Sequence, residues 1–252
     1  MGSLNNLILI IPIINSFLIF GIESFVMHKK LRAIPISIYI LMGIIALIVS
    51  QSVSHFVIKI FQHSYEILNQ FSLSKSQKSA WITVVISILL IDFINYLLHR
   101  LMHKKYFWEA HKVHHSDRSV CSLTPLIHHP LEVTISTCFV LFFYFIFDMP
   151  LVVVLGYVLF FSLYDAFVHS NLILNKKLES FISLIFITPH LHRTHHSINV
   201  VISNTNFGSL FSFWDRAFGT YKKIDNVKIF GVKEHCVEKL NLKNILKMPF
   251  TN

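Results

Sequence analysis

The chain has 252 residues, and 54% of them are apolar, which exceeds the 45 to 50% or so of soluble globular domains. This composition argues against an ordinary soluble domain and favours a membrane protein. The formal net charge of +9 is compatible with nucleic-acid binding, but the basic residues lie in loops between apolar runs and in the segment after Lys222. We therefore expect them to flank membrane helices and attract anionic lipid, and we predict no nucleic-acid partner.

Five apolar runs organise the sequence, and their lengths suit helices that cross ~30 Å of hydrocarbon at ~1.5 Å per residue. They are Leu4–Met27, Ile34–Ile60, Ala80–Leu98, Val133–Phe147 and Leu151–Val168. The first run is followed by the basic cluster His28, Lys29, Lys30 and Arg32, whereas a signal peptide carries its positive charge before the apolar stretch. We therefore interpret the first run as a retained membrane anchor.

The last two runs are separated only by Asp148, Met149 and Pro150, which predicts a helical hairpin. Each arm is short enough that a re-entrant pair is an alternative to two complete crossings. The predicted fold is therefore all-α, a polytopic membrane bundle of about four or five spanning or re-entrant helices.

Histidine is unusually frequent, with 16 residues, and 12 of them lie between His99 and His196. The third apolar run ends in an i, i+4 pair, and two copies of His-x-x-His-His follow it. These three clusters are His99 and His103; His111, His114 and His115; and His192, His195 and His196. Positions i, i+3 and i+4 of a helix share one face, so each cluster can direct two or three imidazoles to one point. A random chain of this composition would contain His-x-x-His-His roughly 0.06 times, which indicates selection for geometry.

The number of imidazoles points to two metal ions. A structural zinc uses four ligands and a catalytic zinc three protein ligands, so eight imidazoles are too many for one ion. Imidazole binds iron, copper, zinc and nickel, so the residue type leaves the element open. The sequence lacks both the His-Glu-x-x-His motif of zinc proteases and the Glu-x-x-His motif of carboxylate-bridged di-iron bundles. Two all-nitrogen sites beside a bilayer favour oxygen chemistry on a buried hydrocarbon chain.

Counting crossings gives the histidine clusters a common side of the membrane. Residues 99–130 and the long C-terminal part fall on the side of the basic cluster, and residues 61–79 fall on the opposite side. The charge bias favours the cytoplasm for the first side. We expect a multi-pass integral protein of the bacterial inner membrane or the endoplasmic reticulum, with histidine-bearing helices that cap the bundle on the cytoplasmic side.

Two other classes of protein are compatible with a high histidine content. One is a histidine-rich membrane transporter or metal-handling protein, which would need polar residues that face one another within the spans; here only Asp92 and Asp165 lie deep in the apolar runs. The other is a membrane haem protein with paired axial histidines. Metal stoichiometry separates the first from an oxygenase, and a Soret band would identify the second.

Further motifs follow one another in a characteristic order between Asp92 and Tyr221. They are Asp92-Phe-Ile-Asn-Tyr-Leu-Leu-His99-Arg, Phe107-Trp108-Glu-Ala-His111, His115-Ser116, His129-Pro130-Leu-Glu132, Phe167-Val-His169-Ser-Asn171, Thr188-Pro189, Asn206-Phe207-Gly208, Trp214-Asp215-Arg216 and Phe218-Gly219-Thr220-Tyr221. Together with the histidine clusters, this order resembles the fatty acid hydroxylase and sterol desaturase superfamily of membrane non-haem di-iron enzymes. The chain departs from the family pattern at Ile127 and His190, where arginine is usual, and at Phe207, where tyrosine is commoner.

The resemblance implies an oxidoreductase that uses two iron ions and O2 to hydroxylate or desaturate a membrane lipid: a sterol, a fatty acyl chain, a carotenoid or an ether lipid. It divides the chain into membrane anchor helices at 1–79, a fatty acid hydroxylase-like catalytic domain at 80–221 and a basic tail at 222–252. The sequence has no Gly-x-Gly-x-x-Gly or His-Pro-Gly-Gly motif, so electrons must come from outside. We expect a cytochrome b5-like or ferredoxin-like carrier at the cationic surface.

Ten histidines are the predicted metal ligands, with His128 as an alternative to His129. They are His99, His103, His111, His114, His115, His129, His169, His192, His195 and His196. The other ring nitrogen of each ligand needs a hydrogen-bond partner that fixes the ring. Four acids are predicted to supply such partners: Asp92, Glu109, Asp165 and Asp215.

Overall fold

The computed structural model describes residues 2–27, 34–62, 80–225, 227, 229–233 and 240–251. Within these ranges the regular structure is helical, apart from two isolated bridge pairs that join loop residues. The predicted all-α class is therefore confirmed. The basic cluster after the first apolar run and residues 63–79 lie outside the described part of the chain.

Five long helices form the bundle. They are α1 (Gly2–Met27), α2 (Ile36–Gln62), α3 (Ala80–Met102), α5 (Pro130–Phe147) and α6 (Leu151–His169). Four of them, α2, α3, α5 and α6, are long and apolar enough to cross a membrane, and α1 contributes a shorter apolar stretch, Ile10–Val26. The predicted number of spanning helices is thus confirmed for the described residues.

The predicted hairpin joins α5 to α6. Asp148 ends α5 in the left-handed conformation at φ 40°, and Pro150 stands directly before the first residue of α6. The two arms have 18 and 19 residues, because α5 already begins at Pro130 and α6 continues to His169. Both arms are therefore long enough for complete crossings, and their outer ends lie on the same face of the bundle.

Short helices form a cap at that face. They are α4 (Lys105–His115), α7 (Lys176–Ile182), α8 (Pro189–His195), α9 (Val200–Ser203), α10 (Phe213–Ala217) and α11 (Leu242–Lys247), with 3-10 turns at Thr124–Leu126 and Met248–Phe250. Thr188 starts α8, because its hydroxyl accepts a hydrogen bond from the Leu191 N–H and Pro189 occupies the first helical position. The N-terminal capping by Thr188 therefore fixes where the helix with the last histidine cluster begins.

Two buried polar contacts join the N-terminal helices to the cap. The Glu23 carboxylate of α1 accepts hydrogen bonds from the backbone N–H groups of Ser122, at 3.0 Å, and Asn171, at 2.7 Å. The Tyr39 hydroxyl of α2 donates to Asp117, at 2.8 Å. Residues 240–251 also pack into the apolar cluster around Tyr39. The two terminal segments therefore support the histidine-bearing part directly.

Candidate metal centre

The last turn of α3 directs His99 and His103 into the cap. The Nδ1 atom of His99 lies 2.9 Å from the Phe207 carbonyl oxygen, and that of His103 lies 3.1 Å from the Asn204 side-chain oxygen. Both partners come from the loop that follows α9. This loop therefore fixes the two rings with their Nε2 atoms turned away from it.

Helix α4 supplies three more histidines from one side of its last turns. The Nδ1 atom of His111 lies 2.6 Å from a carboxylate oxygen of Glu132, and that of His114 lies 3.2 Å from the Ile127 carbonyl oxygen. His115 directs its Nε2 atom to within 3.2 Å of the His111 Nε2 atom. The i, i+3, i+4 spacing thus places the three rings on a shared face.

The end of α6 and helix α8 complete the set. The Nδ1 atom of His169 lies 2.8 Å from the Asp165 carbonyl oxygen, and that of His195 lies 2.8 Å from the Thr205 carbonyl oxygen. The Nε2 atom of His192 lies 2.8 Å from that of His169 and 3.2 Å from that of His196.

Nine of the ten predicted ligands fall into two groups whose potential ligand atoms lie within 4.8 Å of one another. We call them the five-histidine group and the four-histidine group. The first contains His99, His103, His111, His115 and His195, and the second contains His114, His169, His192 and His196. The groups are adjacent, since the rings of His115 and His196 stack with centroids 4.4 Å apart. Four segments distant in sequence therefore converge, as the histidine spacing predicts.

The tautomers of these rings suit bound cations. Carbonyl oxygens only accept hydrogen bonds, so the Nδ1 atoms of His114 and His169 carry the protons and their Nε2 atoms present lone pairs. Those two Nε2 atoms lie 3.1 Å apart, a distance at which lone pairs repel unless a cation lies between them. Two ligands at right angles around an ion with bonds of ~2.1 Å are separated by about 3.0 Å. The residues present therefore fit a metal ion.

Unpartnered nitrogens in the five-histidine group support the same conclusion. The Nε2 atoms of His103 and His195 are buried and have no hydrogen-bond partner in the described part of the chain. Their Nδ1 atoms are already bonded to Asn204 and Thr205. A buried nitrogen without a partner costs free energy, which a coordinated ion would offset.

Burial also favours the neutral form of six cap histidines, and metal ligation requires neutral imidazoles. Desolvation, reinforced by neighbouring imidazoles, lowers the pKa well below the usual 6.5 in every cap histidine of the two groups for which a shift is resolved. These are His103, His114, His115, His192, His195 and His196. Their lone pairs are therefore available at neutral pH.

The structure does not bring His129 into either group. Its Nδ1 atom accepts a hydrogen bond from the Leu131 N–H, and its Nε2 atom lies 3.2 Å from the Leu246 carbonyl oxygen. Both ring nitrogens are thus engaged, and the residue caps α5. The alternative, His128, stacks on His114 with ring centroids 4.4 Å apart and also lies outside both groups.

Asp92 and Asp215, two of the four predicted acids, accept hydrogen bonds from backbone N–H groups. Asp92 accepts hydrogen bonds from the Leu210 and Phe211 N–H groups, the Trp214 indole and the Tyr157 hydroxyl. Asp92 therefore joins α3 and α6 to the loop that precedes α10, and its described contacts include no histidine.

Asp215 supports His99, a predicted ligand, through one intermediate residue. Its carboxylate accepts hydrogen bonds from the N–H groups of Phe207 and Gly208, each at 2.8 Å, and the Phe207 carbonyl oxygen in turn holds His99. There is no room for a side chain at position 208, because an added Cβ would lie 2.5 Å from the Phe211 carbonyl oxygen.

The other two predicted acids, Asp165 and Glu109, differ in whether their carboxylates contact a histidine. Asp165 places a carboxylate oxygen 3.2 Å from the His169 Nδ1 atom, in addition to its carbonyl oxygen. Glu109 is partly exposed and pairs with Lys112, at 2.5 Å. Of the predicted acids, Asp165 is thus the one whose side chain reaches a histidine of the two groups.

The carboxylate that contacts His111 is one that the sequence prediction missed. Glu132, in the first turn of α5, lies 2.6 Å from the His111 Nδ1 atom and 3.0 Å from the His128 Nδ1 atom. Its position four residues after His128 and two residues after Pro130 was an available signal, because i and i+4 positions share a helix face.

A cavity of about 420 Å³ begins at the histidines and continues between α1, α3, α5 and α6. His99, His111, His114, His169 and His192 line its upper end. Ile91, Val140, Met149, Val154 and Phe161 line its lower part. The cavity therefore leads from both groups into the apolar interior of the bundle.

Comparison with known proteins matches residues 84–220, just over half of the chain, to the fatty acid hydroxylase family model. An alkylglycerol monooxygenase of Caenorhabditis elegans is 29% identical over 160 residues, which cover 61% of this chain and 30% of that protein. An ornithine lipid hydroxylase of Rhizobium tropici is 28% identical over 139 residues, 55% of this chain and 41% of that protein. Methylsterol monooxygenase 1 of Rattus norvegicus is 31% identical over 131 residues, 51% of this chain and 43% of that protein. The matched region is thus less than half of each relative, and no solved structure matches the chain.

Proposed function

The chain belongs to the fatty acid hydroxylase family, and from this membership we propose that it is an O2-dependent di-iron oxidoreductase that hydroxylates or desaturates a membrane lipid. The observation that carries the proposal is the position of the two histidine groups at one end of an apolar cavity between membrane helices. A hydrocarbon chain in that cavity would reach the groups without crossing water.

In the proposed enzyme each group holds one iron. Bound iron, together with O2 and electrons, would supply the chemistry that oxidises an unactivated C–H bond. The protein itself contributes in two ways. Hydrogen bonds to the Nδ1 atoms fix the orientation of the imidazole rings, and the buried cap excludes water from the ligand atoms. Glu132 acts as a positioning residue through its contact with His111.

Electrons are proposed to arrive from a cytochrome b5-like or ferredoxin-like carrier at the five-histidine group. The Trp108 ring lies with its centroid 5.1 Å from the ring centroids of both His103 and His115. Trp108 is partly exposed, and Lys104 and Lys105 beside it are exposed. These two cations would attract an acidic carrier to the side of the group on which Trp108 lies.

The proposed substrate is a membrane lipid of the kinds named by resemblance: a sterol, fatty acyl chain, carotenoid or ether lipid. The relatives' names add alkylglycerol, ornithine lipid and methylsterol, which supports lipid oxidation in general. We place the multi-pass protein in a bacterial inner membrane or the endoplasmic reticulum, with its site on the cytoplasmic side.

Comparative lipidomics of cells with and without the chain tests this function. We expect a hydroxylated or desaturated lipid only where the intact protein is present. His114→Ala removes one member of the four-histidine group and serves as the inactive control. Equal amounts of product from the variant and the intact protein would contradict the proposal. Exchangeable zinc without lipid oxidation would instead favour the metal transporter.

A further inference from the structure

The upper part of the cavity carries a ring of polar side chains, which we call the polar belt. It consists of Asn95, Glu132, Ser136 and Asp165, and all four line the cavity. Asn95 and Asp165 each precede a histidine of the metal groups by four residues, which is one helical turn, or about 6 Å. The belt therefore lies directly below the histidines, on three different helices.

The belt has hydrogen-bonding capacity that the protein does not use. One carboxylate oxygen of Glu132, Oε2, is buried and has no partner among the described residues, although the side chain is only 6% exposed. The Asn95 amide nitrogen lies 3.4 Å from the Tyr157 hydroxyl, which is long for a hydrogen bond. The Asp165 side chain keeps 25% of its surface accessible. Polar groups at membrane depth are costly unless a partner satisfies them.

The side chains of the belt act mainly as hydrogen-bond acceptors. The carboxyl oxygens of Glu132 and Asp165 accept hydrogen bonds, and Asn95 and Ser136 can each accept as well as donate. Among the described residues that line the cavity there is no lysine or arginine. A ligand group that brings hydroxyl or amine donors would satisfy the belt, whereas a carboxylate would meet further acceptors.

Below the belt most of the lining is apolar, although the polar side chains of Tyr157 and Ser162 also line the cavity. Val154 and Val158 of α6, Val140 of α5 and Ile91 of α3 line this part. Val154 precedes His169 by 15 residues, so the cavity extends along α6 for roughly 22 Å. This lower part suits a hydrocarbon tail.

We propose that the polar belt is the binding site for a lipid head group that donates hydrogen bonds through hydroxyl or amine groups, with its tail in the lower cavity. The inference rests on the proposed function, because the bound lipid is taken to be the substrate. It places the oxidised carbon within a few bonds of the head group rather than near the end of the tail.

Binding to the full-length, iron-loaded protein without reductant tests the head-group preference separately from turnover. The probes share a hexadecyl chain: hexadecyl glycerol ether, its di-O-methylated form, hexadecylamine and hexadecanoate, each measured by displacement of a fluorescent long-chain probe. We expect the glycerol ether and the amine to bind about tenfold more tightly than the methylated ether and hexadecanoate, because two or more hydrogen bonds are lost. Equal affinities across the four probes would overturn the proposal.

The double variant Asn95→Leu with Ser136→Ala removes two neutral members of the belt. We expect it to reduce the preference for the glycerol ether over its methylated form, because Glu132 and Asp165 remain as acceptors. Thr134→Val is the matched control, since Thr134 lies on the same helix, bonds the Pro130 carbonyl oxygen and does not line the cavity. A preference that is as large in the double variant as in the control contradicts the belt as the head-group site. Iron content checks that each variant is folded.

The two proposals fail in different ways. Selective binding without lipid oxidation under reducing conditions would refute the proposed function and leave the head-group site intact. Lipid oxidation without selective binding would do the reverse.

Discussion

The two histidine groups differ in their position between the cavity and the protein surface. In the four-histidine group every residue is buried, and His114, His169 and His192 line the cavity. In the five-histidine group His99 and His111 also line the cavity, but the contact between His103 and Asn204 lies at the surface. We infer that the four-histidine group acts next to the lipid, whereas the five-histidine group connects the cavity to the side where the electron donor docks.

Removal of one ligand from each group gives the largest expected difference. His192→Ala leaves three imidazoles in the four-histidine group, so we expect the variant to lose one iron. Its activity should fall by more than about a hundredfold, which exceeds the loss expected when only the hydrogen-bond partner of a ligand is removed. His103→Ala leaves four imidazoles in the other group and should retain more iron. Metal analysis of both purified variants checks this. Equal iron loss in the two variants would contradict the expectation that the five-histidine group tolerates the loss of one imidazole better than the four-histidine group.

Loss of the carboxylate at position 132 should weaken the five-histidine group through His111. We expect Glu132→Ala to lower iron affinity by about 10- to 100-fold, as is typical when the partner of a ligand is removed. Glu109→Ala is the control, because that carboxylate contacts Lys112 rather than a histidine. Iron titration against a competing chelator measures both variants. An unchanged affinity for Glu132→Ala would remove its positioning role.

Gly208→Ala should disturb the loop that holds His99. The new Cβ would lie 2.5 Å from the Phe211 carbonyl oxygen and 2.9 Å from the Asp215 carboxylate, so we expect a loss of about 1 to 3 kcal/mol in unfolding free energy. Gly156→Ala is the matched control, since nothing lies within 4 Å of its added Cβ. Thermal unfolding compares them. A melting temperature equal to that of the control would contradict the close packing at position 208.

Acid should destabilise the metal-free protein. Burial lowers the pKa of His114, His192 and His196 below the usual 6.5, so the folded chain stays unprotonated where the unfolded chain takes up protons. Stability is therefore full above pH 6.5 and falls as the pH decreases below that value. Melting temperatures at pH 7.5 and at pH 5.5, after chelation, test this direction. A higher value at pH 5.5 would contradict it.

Charge reversal beside Trp108 gives the smallest expected effect. Lys104→Glu with Lys105→Glu should slow reduction by an acidic carrier several-fold at low salt and little at high salt, because exposed charges act mainly on association. The double variant Lys176→Glu with Lys177→Glu is the matched control, because these two exposed lysines are also consecutive in the sequence and lie on α7. Stopped-flow reduction by a ferredoxin measures the rates, and reduction by dithionite checks that the irons remain intact. Equal slowing in both double variants would argue against docking near Trp108.

The sequence predicted the bundle and most of the centre because both depend on periodicity. Apolar run length indicates a spanning helix whatever it packs against, and i, i+3, i+4 spacing places histidines on one face wherever the helix lies. The hairpin at Asp148 and the convergence of His99, His111 and His192 followed from these local rules.

The supporting contacts could not be predicted in the same way. Whether Glu109 or Glu132 contacts His111 depends on how α4 and α5 pack, which no local pattern encodes. The prediction for His129 did not take into account that its side chain would cap α5. Asp92 lies in a spanning helix as expected, but two of its partners are backbone N–H groups 118 and 119 residues later in the chain.

Metal analysis of the purified protein decides whether the two histidine groups hold iron. We predict two tightly bound irons per chain with nitrogen ligation in the X-ray absorption spectrum, and the loss of one iron in His192→Ala. A single ion per chain, or zinc that exchanges freely, would contradict it.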